Sequence, residues 1–173
     1  MSEVYLLDAN AFIQPKQKFY AFDICPGYWT ALISHQQSGR VCSIDRVRDE
    51  IEEGGDDLWT WARDAFPAAG FATTRDTDIL SNYARLQSWV ATSVHYTAAA
   101  RQEFAEERNA DGWLVAYAMM FPGTVVVTME DFNAAKQNKV PIPNIATAFG
   151  VESITPFDML RRLRVELQWR APE

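Results

Sequence analysis

The sequence predicts an α/β domain with a central, mostly parallel sheet flanked by helices. Two observations carry that reading. Short apolar runs alternate with helical patterns along the whole chain, the arrangement that builds parallel sheets with helices on both faces. No internal repeat, low-complexity tract or linker interrupts the alternation, so residues 1–173 read as a single domain. A chain of this length buries a sizeable core by itself.

The first strand is Val4–Leu7, a continuous apolar run suited to burial on both faces. Asp8–Asp23 reads as a loop or short helix carrying Pro15, Lys16 and Lys18. A helix starts near Pro26, because proline fits a first helical turn. It places Trp29, Leu32 and Ile33 on one face and ends at Gly39. Val41–Ser43 is a second strand, with Ser43 as cap of the next helix, Ile44–Glu53, which stops at Gly54-Gly55. Val47 and Ile51 form its buried stripe.

Asp57–Phe66 follows as a helix ended by Pro67. Asp76–Ala91 is longer, with Ile79, Leu80, Tyr83, Leu86 and Val90 at helical spacing. Ala98–Glu107 is a helix with a polar face, and Asp111–Phe121 is apolar nearly all round, as for a helix wedged against the sheet. Pro122-Gly123 turns into the β-branched strand Thr124–Thr128. Pro141 and Pro143 predict a loop before a short helix, Asn144–Phe149. Val151–Ile154 is a last strand and Pro156–Leu167 a closing helix.

Hydrophobic residues make up 48% of the chain, with six Trp, which argues against disorder. No apolar stretch reaches the roughly 18 residues of a membrane span, and no basic region precedes an apolar secretory segment. Cys25 and Cys42 show no metal-ligand spacing, so a reduced, cytoplasmic protein is expected. The net charge of −7 disfavours an unaided grip on nucleic acid, because backbone affinity comes from Lys and Arg. It suits a basic protein partner, or an acidic site that bound metal would offset.

Four acids sit where such a fold would gather them. Asp8 follows the first strand, at the sheet edge where ligands of α/β proteins bind. As a turn residue or cap it would be ordinary. Asn10 could orient it by a hydrogen bond. Glu50 shares a helix face with Val47 and Ile51, and a carboxylate beside a buried stripe needs a partner. The plainer role is an ion pair with Arg46. Asp111 opens a buried helix, where the dipole alone would favour an anion by ~0.3–1 kcal/mol; Asn109 could cap that helix instead. Thr128, Glu130 and Asp131 close the group, the two acids competing for one role. Such a cluster repels itself unless a cation neutralises it, which suggests Mg²⁺ or Mn²⁺ and phosphate chemistry.

These residues resemble the PIN-domain ribonuclease superfamily. Tyr5-Leu6-Leu7-Asp8-Ala9-Asn10 followed by Ala11-Phe12-Ile13 looks like the family's opening, and Ser43–Ile51 resembles the helix with its second acid, Glu50. Asn109-Ala110-Asp111 is similar to the third motif. Val126-Val127-Thr128-Met129-Glu130 is similar to the fourth, where the family more often has Asp, and the alignment selects Glu130 over Asp131. The segments Pro26–Trp29, Trp59–Trp61 and Pro141–Val151 further resemble a little-characterised bacterial branch related to toxin endonucleases.

The resemblance implies a PIN-like three-layer sandwich and a metal-dependent endoribonuclease leaving 5′-phosphate and 3′-hydroxyl ends. Asp8, Glu50, Asp111 and Glu130 would hold one or two Mg²⁺ or Mn²⁺ ions. Asn10, Thr128 and Asp131 would support those ligands or contact phosphate. RNA is the implied substrate, and family members pair with an antitoxin or regulatory protein and form homodimers; no membrane is implied. Candidate contacts to the RNA backbone are Lys16, Lys18, Arg46, Lys136 and Lys139, and Tyr20, Phe22, Tyr28 and Trp29 include candidate base-stacking surfaces, with Trp29 a core residue first. His35 and His95 read as structural, and Trp89, Trp113 and Trp169 as core or interface.

Two other classes compete. A haloacid-dehalogenase-like phosphatase also opens with strand then Asp, but needs a second acid where this chain has Asn10. A metal-free binding or regulatory module would keep the fold without the chemistry.

Overall fold

Five parallel strands form the centre of the computed structural model, which describes residues 3–168. They are β1 (Val4–Leu7), β2 (Val41–Ile44), β3 (Phe71–Ala72), β4 (Thr124–Val127) and β5 (Ser153–Ile154), in the order β3-β2-β1-β4-β5. Side chains alternate between the faces of a strand, yet Tyr5, Leu6 and Leu7 are all fully buried, so both faces of β1 are covered. The result is a three-layer α/β sandwich. Leu6 pairs with Cys42 on one side and Val126 on the other, which fixes β1 as the innermost strand.

Around the sheet lie α1 (Asn10–Gln14), α2 (Pro26–Gln37), α3 (Asp45–Gly54), α4 (Asp57–Asp64) and α5 (Thr77–Thr92), then α6 (Ala98–Phe104), α7 (Asp111–Met120), α8 (Ile142–Ala148) and α9 (Pro156–Arg162). Each begins or ends where the sequence has a reason. Pro26, Pro143 and Pro156 sit in first turns, where the missing N–H is no loss. Asp56, Asp76, Thr97 and Thr155 cap α4, α5, α6 and α9 through their side chains. Gly55 closes α3 at φ +61°, a conformation that other residues adopt at a cost.

Strand order makes a crevice. The chain moves from β1 through β2 to β3 on one side, then crosses to β4 and β5 on the other. At such a reversal, the crossover connections leave the sheet in opposite directions from the ends of two adjacent strands. Those ends belong to β1 and β4 here. The Asp8 amide still pairs with the Val127 carbonyl (2.9 Å), and the Thr128 amide with the Ile154 carbonyl (3.0 Å).

Several expectations need correction. Ser43 does not cap α3: its hydroxyl donates to the Leu7 carbonyl at 2.6 Å, tying β2 to β1, and α3 starts without a side-chain cap. Asp8–Asp23 does hold a short helix, α1, and adds a π-helical turn, Pro15–Phe19, that the sequence did not suggest. The two-residue β3 was not expected, because Phe71-Ala72 is too short to show a period. In α5, Ile79, Leu86 and Val90 are buried, but Leu80 is 47% exposed. The helix α8 begins at Ile142, ahead of Pro143, and β5 and α9 are shorter than the sequence suggested. Trp113 is core, Trp89 is partly exposed, and the expectation for Trp169 lies outside the described residues. No described helix is long and apolar enough to cross a membrane.

Candidate functional site

Asp8 leaves β1 into the crevice and is 2% exposed. Its Oδ2 accepts a hydrogen bond from Thr128 Oγ1 at 3.0 Å, across the two strand ends. Burial, then the charges of Glu50 and Glu130, push its pKa up to about 7. Two hydrogen bonds, from Thr128 and the Ala9 amide, act the other way without restoring the ordinary value.

Asp111 stands at the start of α7. The Asn109 side chain accepts from the Asp111 amide (2.9 Å), so the helix start is served by Asn109 and the Asp111 carboxylate is left for other contacts. Burial raises its pKa well above the carboxylate range, and the charges of Asp8, Glu130 and Glu50 add to that. Glu50 is an exposed residue of α3, but its side chain lines the cavity described below. Loss of water around it and the charge of Glu53 raise its pKa as well. It makes no ion pair with Arg46. That guanidinium instead lies 4.4 Å from the Trp113 ring centroid and donates to the Glu107 carbonyl at 3.2 Å.

Glu130 faces the cluster and Asp131 does not. The Glu130 amide donates to Thr128 Oγ1 (3.2 Å), its Oε2 accepts from the Ile142 amide (2.8 Å), and its Oε1 pairs with the Lys139 ammonium. Asp131 is exposed. The backbone that carries Lys139 is braced by Asn144: its Oδ1 accepts from the Asn133 amide (3.0 Å) and its Nδ2 donates to the Asn133 carbonyl (2.8 Å). Burial works against the Lys139 charge, but Glu130, Asp111 and Asp8 hold its pKa above the ordinary value.

The acids therefore come from β1, α3, α7 and the end of β4 into one electrostatic neighbourhood. Raised carboxylate pKa values mark a place short of positive charge. Among the described residues, however, no three His, Cys, Asp or Glu side chains form a finished metal-ligand group. Beside the acids opens a cavity of about 730 Å³ lined by Asn10, Glu50, Asp111 and Lys139, among others. Arg46 and Arg108 add cations to its wall, while Asp49, Glu53, Glu103, Glu106 and Glu107 add acids, so carboxylates prevail there.

A family model described as "Domain of unknown function (DUF4411)" matches residues 5–167. The chain belongs to that family. The match takes in Asp8, Glu50, Asp111, Glu130 and Lys139 alike. No curated protein matches the chain.

The remaining expected site residues divide clearly. Asn10 lines the cavity. Lys16 is committed elsewhere, to Asp56 at 2.6 Å and to Asp57, so it is not available to an RNA backbone near Asp8. Tyr20, Phe22, Tyr28 and Trp29 pack on each other: Tyr20 stacks on Tyr28 at 4.7 Å, Phe22 lies 4.3 Å from Trp29, and Trp29 Nε1 donates to the Tyr20 carbonyl at 2.7 Å. They form a structural cluster, not a free stacking platform. His95 is tied to the Lys136 carbonyl at 2.9 Å.

The sequence marks Lys139 as a candidate contact to RNA near the site, but not as the ion-pair partner of Glu130. Its spacing of nine residues from Glu130 belongs to no regular element, so no periodic signal marks it. Asn144 reads in the sequence only as the start of the short helix Asn144–Phe149, whereas it is 9% exposed and its side chain braces a loop.

Proposed function

We propose that this protein is a metal-dependent endoribonuclease of the PIN type, with the acidic crevice between β1 and β4 as its centre. The observation that carries the reading is the convergence of Asp8, Glu50, Asp111 and Glu130, from four separate elements, with Asp8 and Asp111 driven above their ordinary pKa. Such a group is destabilising unless a cation is taken up.

The residues fit a hard divalent ion. The group offers carboxylate oxygens with a hydroxyl close by and no imidazole or thiolate, the donor set that Mg²⁺ or Mn²⁺ prefers. Asp8, Asp111 and Glu130 would hold it, with Glu50 directly or through water. When bound, the ion supplies Lewis-acid polarisation of a phosphate oxygen and a more acidic water for hydrolysis. The chain does the rest. Thr128 fixes the Asp8 carboxylate by its hydrogen bond. Asn10 offers an amide at the cavity wall. Arg46 and Arg108 supply the cations along which a phosphodiester backbone could lie.

The acid-rich cavity wall favours a second reading, a non-catalytic module that grips a cationic segment of a partner protein. One set of incubations separates the two. Purified protein is mixed with single-stranded and structured RNAs in Mn²⁺, in Mg²⁺ and in EDTA, beside Asp8→Asn. The nuclease reading expects cleavage that requires metal and is lost in the variant. Cleavage that is equal in both proteins and indifferent to EDTA would sink it, and so would intact RNA together with no Mn²⁺ binding by calorimetry.

A further inference from the structure

Lys139 stands apart from the other cations of the cavity. Arg46 is spread over the Trp113 ring, and Arg108 pairs with Glu106 at 3.1 Å. Lys139 alone among them reaches an acid of the central group, Glu130, and its charge is also felt by Asp111 and Glu50. It does so from a surface segment, with 38% of its side chain exposed, so a route outward is open to it.

Both oxygens of Glu130 are engaged in the metal-free protein. One oxygen is taken by the ammonium and the other by the Ile142 amide. Glu130 would be among the residues to hold a divalent ion, and the Lys139 ammonium, paired to the same carboxylate, would compete with that ion for it. Resting on the metal-site reading above, we propose that Lys139 is the built-in counter-ion of the acidic centre: it neutralises Glu130 in the metal-free protein and is expelled into the cavity when a divalent cation enters. It is a positioning residue that sets the affinity for the ion.

The charge ledger supports this. Without Lys139, Asp8, Asp111 and Glu130 would share one neighbourhood with no cation bonded to any of them. With it, the metal-free protein is tolerable, and metal affinity is reduced by the free energy needed to displace the ammonium.

The test is Mn²⁺ titration by calorimetry of the EDTA-dialysed full chain, comparing wild type, Lys139→Met and Lys139→Arg. Losing a competing charge worth about 1.4 kcal/mol would tighten Mn²⁺ binding roughly tenfold in Lys139→Met, with Lys139→Arg close to wild type. Equal or weaker binding in Lys139→Met, with wild type binding normally, overturns the inference and leaves the metal site intact. No binding by any of the three overturns the metal site itself, and this inference with it.

A second readout needs no variant. In wild type, acylation of Lys139 by an amine-reactive reagent, followed by peptide mass spectrometry, rises several-fold on addition of Mn²⁺, while Lys16 stays constant. Unchanged or reduced labelling of Lys139 under Mn²⁺ concentrations shown to bind counts against the proposal.

Discussion

Asp8 and Thr128 lie 120 residues apart in the chain and are joined by a buried hydrogen bond of 3.0 Å. They are the residues that follow β1 and β4, so the bond closes the sheet's C-terminal edge where the crevice opens. The Thr128 hydroxyl serves two masters, donating to Asp8 and accepting from the Glu130 amide.

Thr128→Val keeps the shape of the side chain and removes both bonds. Hydrogen bonds to a buried charged group contribute about 1.5–3 kcal/mol, and unfolding in urea should show a loss of that order. Thr128→Ser should recover most of it. A Thr128→Val protein as stable as wild type would mean that the bond contributes nothing.

Stability in EDTA should fall as pH rises from about 4 to about 7. Asp8 ionises near the ordinary 3.8 when unfolded but at about 7 when folded. Between those values the folded state binds more protons than the unfolded one, so raising pH favours unfolding. Asp111 and Glu50 act in the same direction. Thermal melts at pH 5, 6 and 7 should show a declining midpoint, flatter in Asp8→Asn, and Mn²⁺ should restore the midpoint at pH 7. A midpoint that climbs over this range in EDTA would contradict the buried, charge-crowded Asp8.

Glu130 and Asp131 are neighbours with opposite expectations. On the proposed nuclease reading, Glu130→Gln should reduce metal-dependent RNA cleavage by about 10–100-fold or more, that range being the scale for groups that support metal ligands. Asp131→Asn should leave it within about twofold, as for an exposed side chain away from the chemistry. The reverse ranking in matched kinetic assays would move the fourth acid to Asp131.

Packing away from the site has its own test. A Cβ at Gly70 would stand 2.5 Å from Phe66 Cε1 and 2.9 Å from Gln36 Cγ. Gly70→Ala must push the Phe66 ring aside in a dense aromatic cluster, where Phe66 also meets Phe12 and Trp61. Overpacking of this kind costs about 1–3 kcal/mol, measurable by denaturant unfolding, with the acidic crevice unaffected.

The core strands were legible in the sequence because both faces of β1 and β4 are buried, and continuous apolar runs such as Tyr5-Leu6-Leu7 and Val125-Val126-Val127 have few other uses. Asp8 was legible for the same reason: it ends such a run. The short β3 was not, since Phe71-Ala72 becomes a strand through pairing with Ser43-Ile44 and not through a pattern of its own. Ser43 looked like a cap by local rules, but its hydroxyl found the Leu7 carbonyl on the adjacent strand. Lys16 was within a few residues of Asp8 in sequence, yet the turn after α1 carries it to Asp56. In each case a tertiary contact outcompeted the local preference. Lys139 shows the limit most clearly, because only a loop braced by Asn133 and Asn144 delivers it to Glu130.

The pairing of β1 with β4 also has a consequence for the order of events during synthesis. The strand that carries Asp8 is made before its partner, and Thr128 follows Asp8 by 120 residues. At about 5–20 residues per second, a nascent chain spends roughly 6–24 s with Asp8 already exposed and no Thr128 or Glu130 to meet it. Over that interval the chain has no assembled acidic centre. The acidic centre can therefore assemble only once synthesis has passed Glu130, long after Asp8 is made.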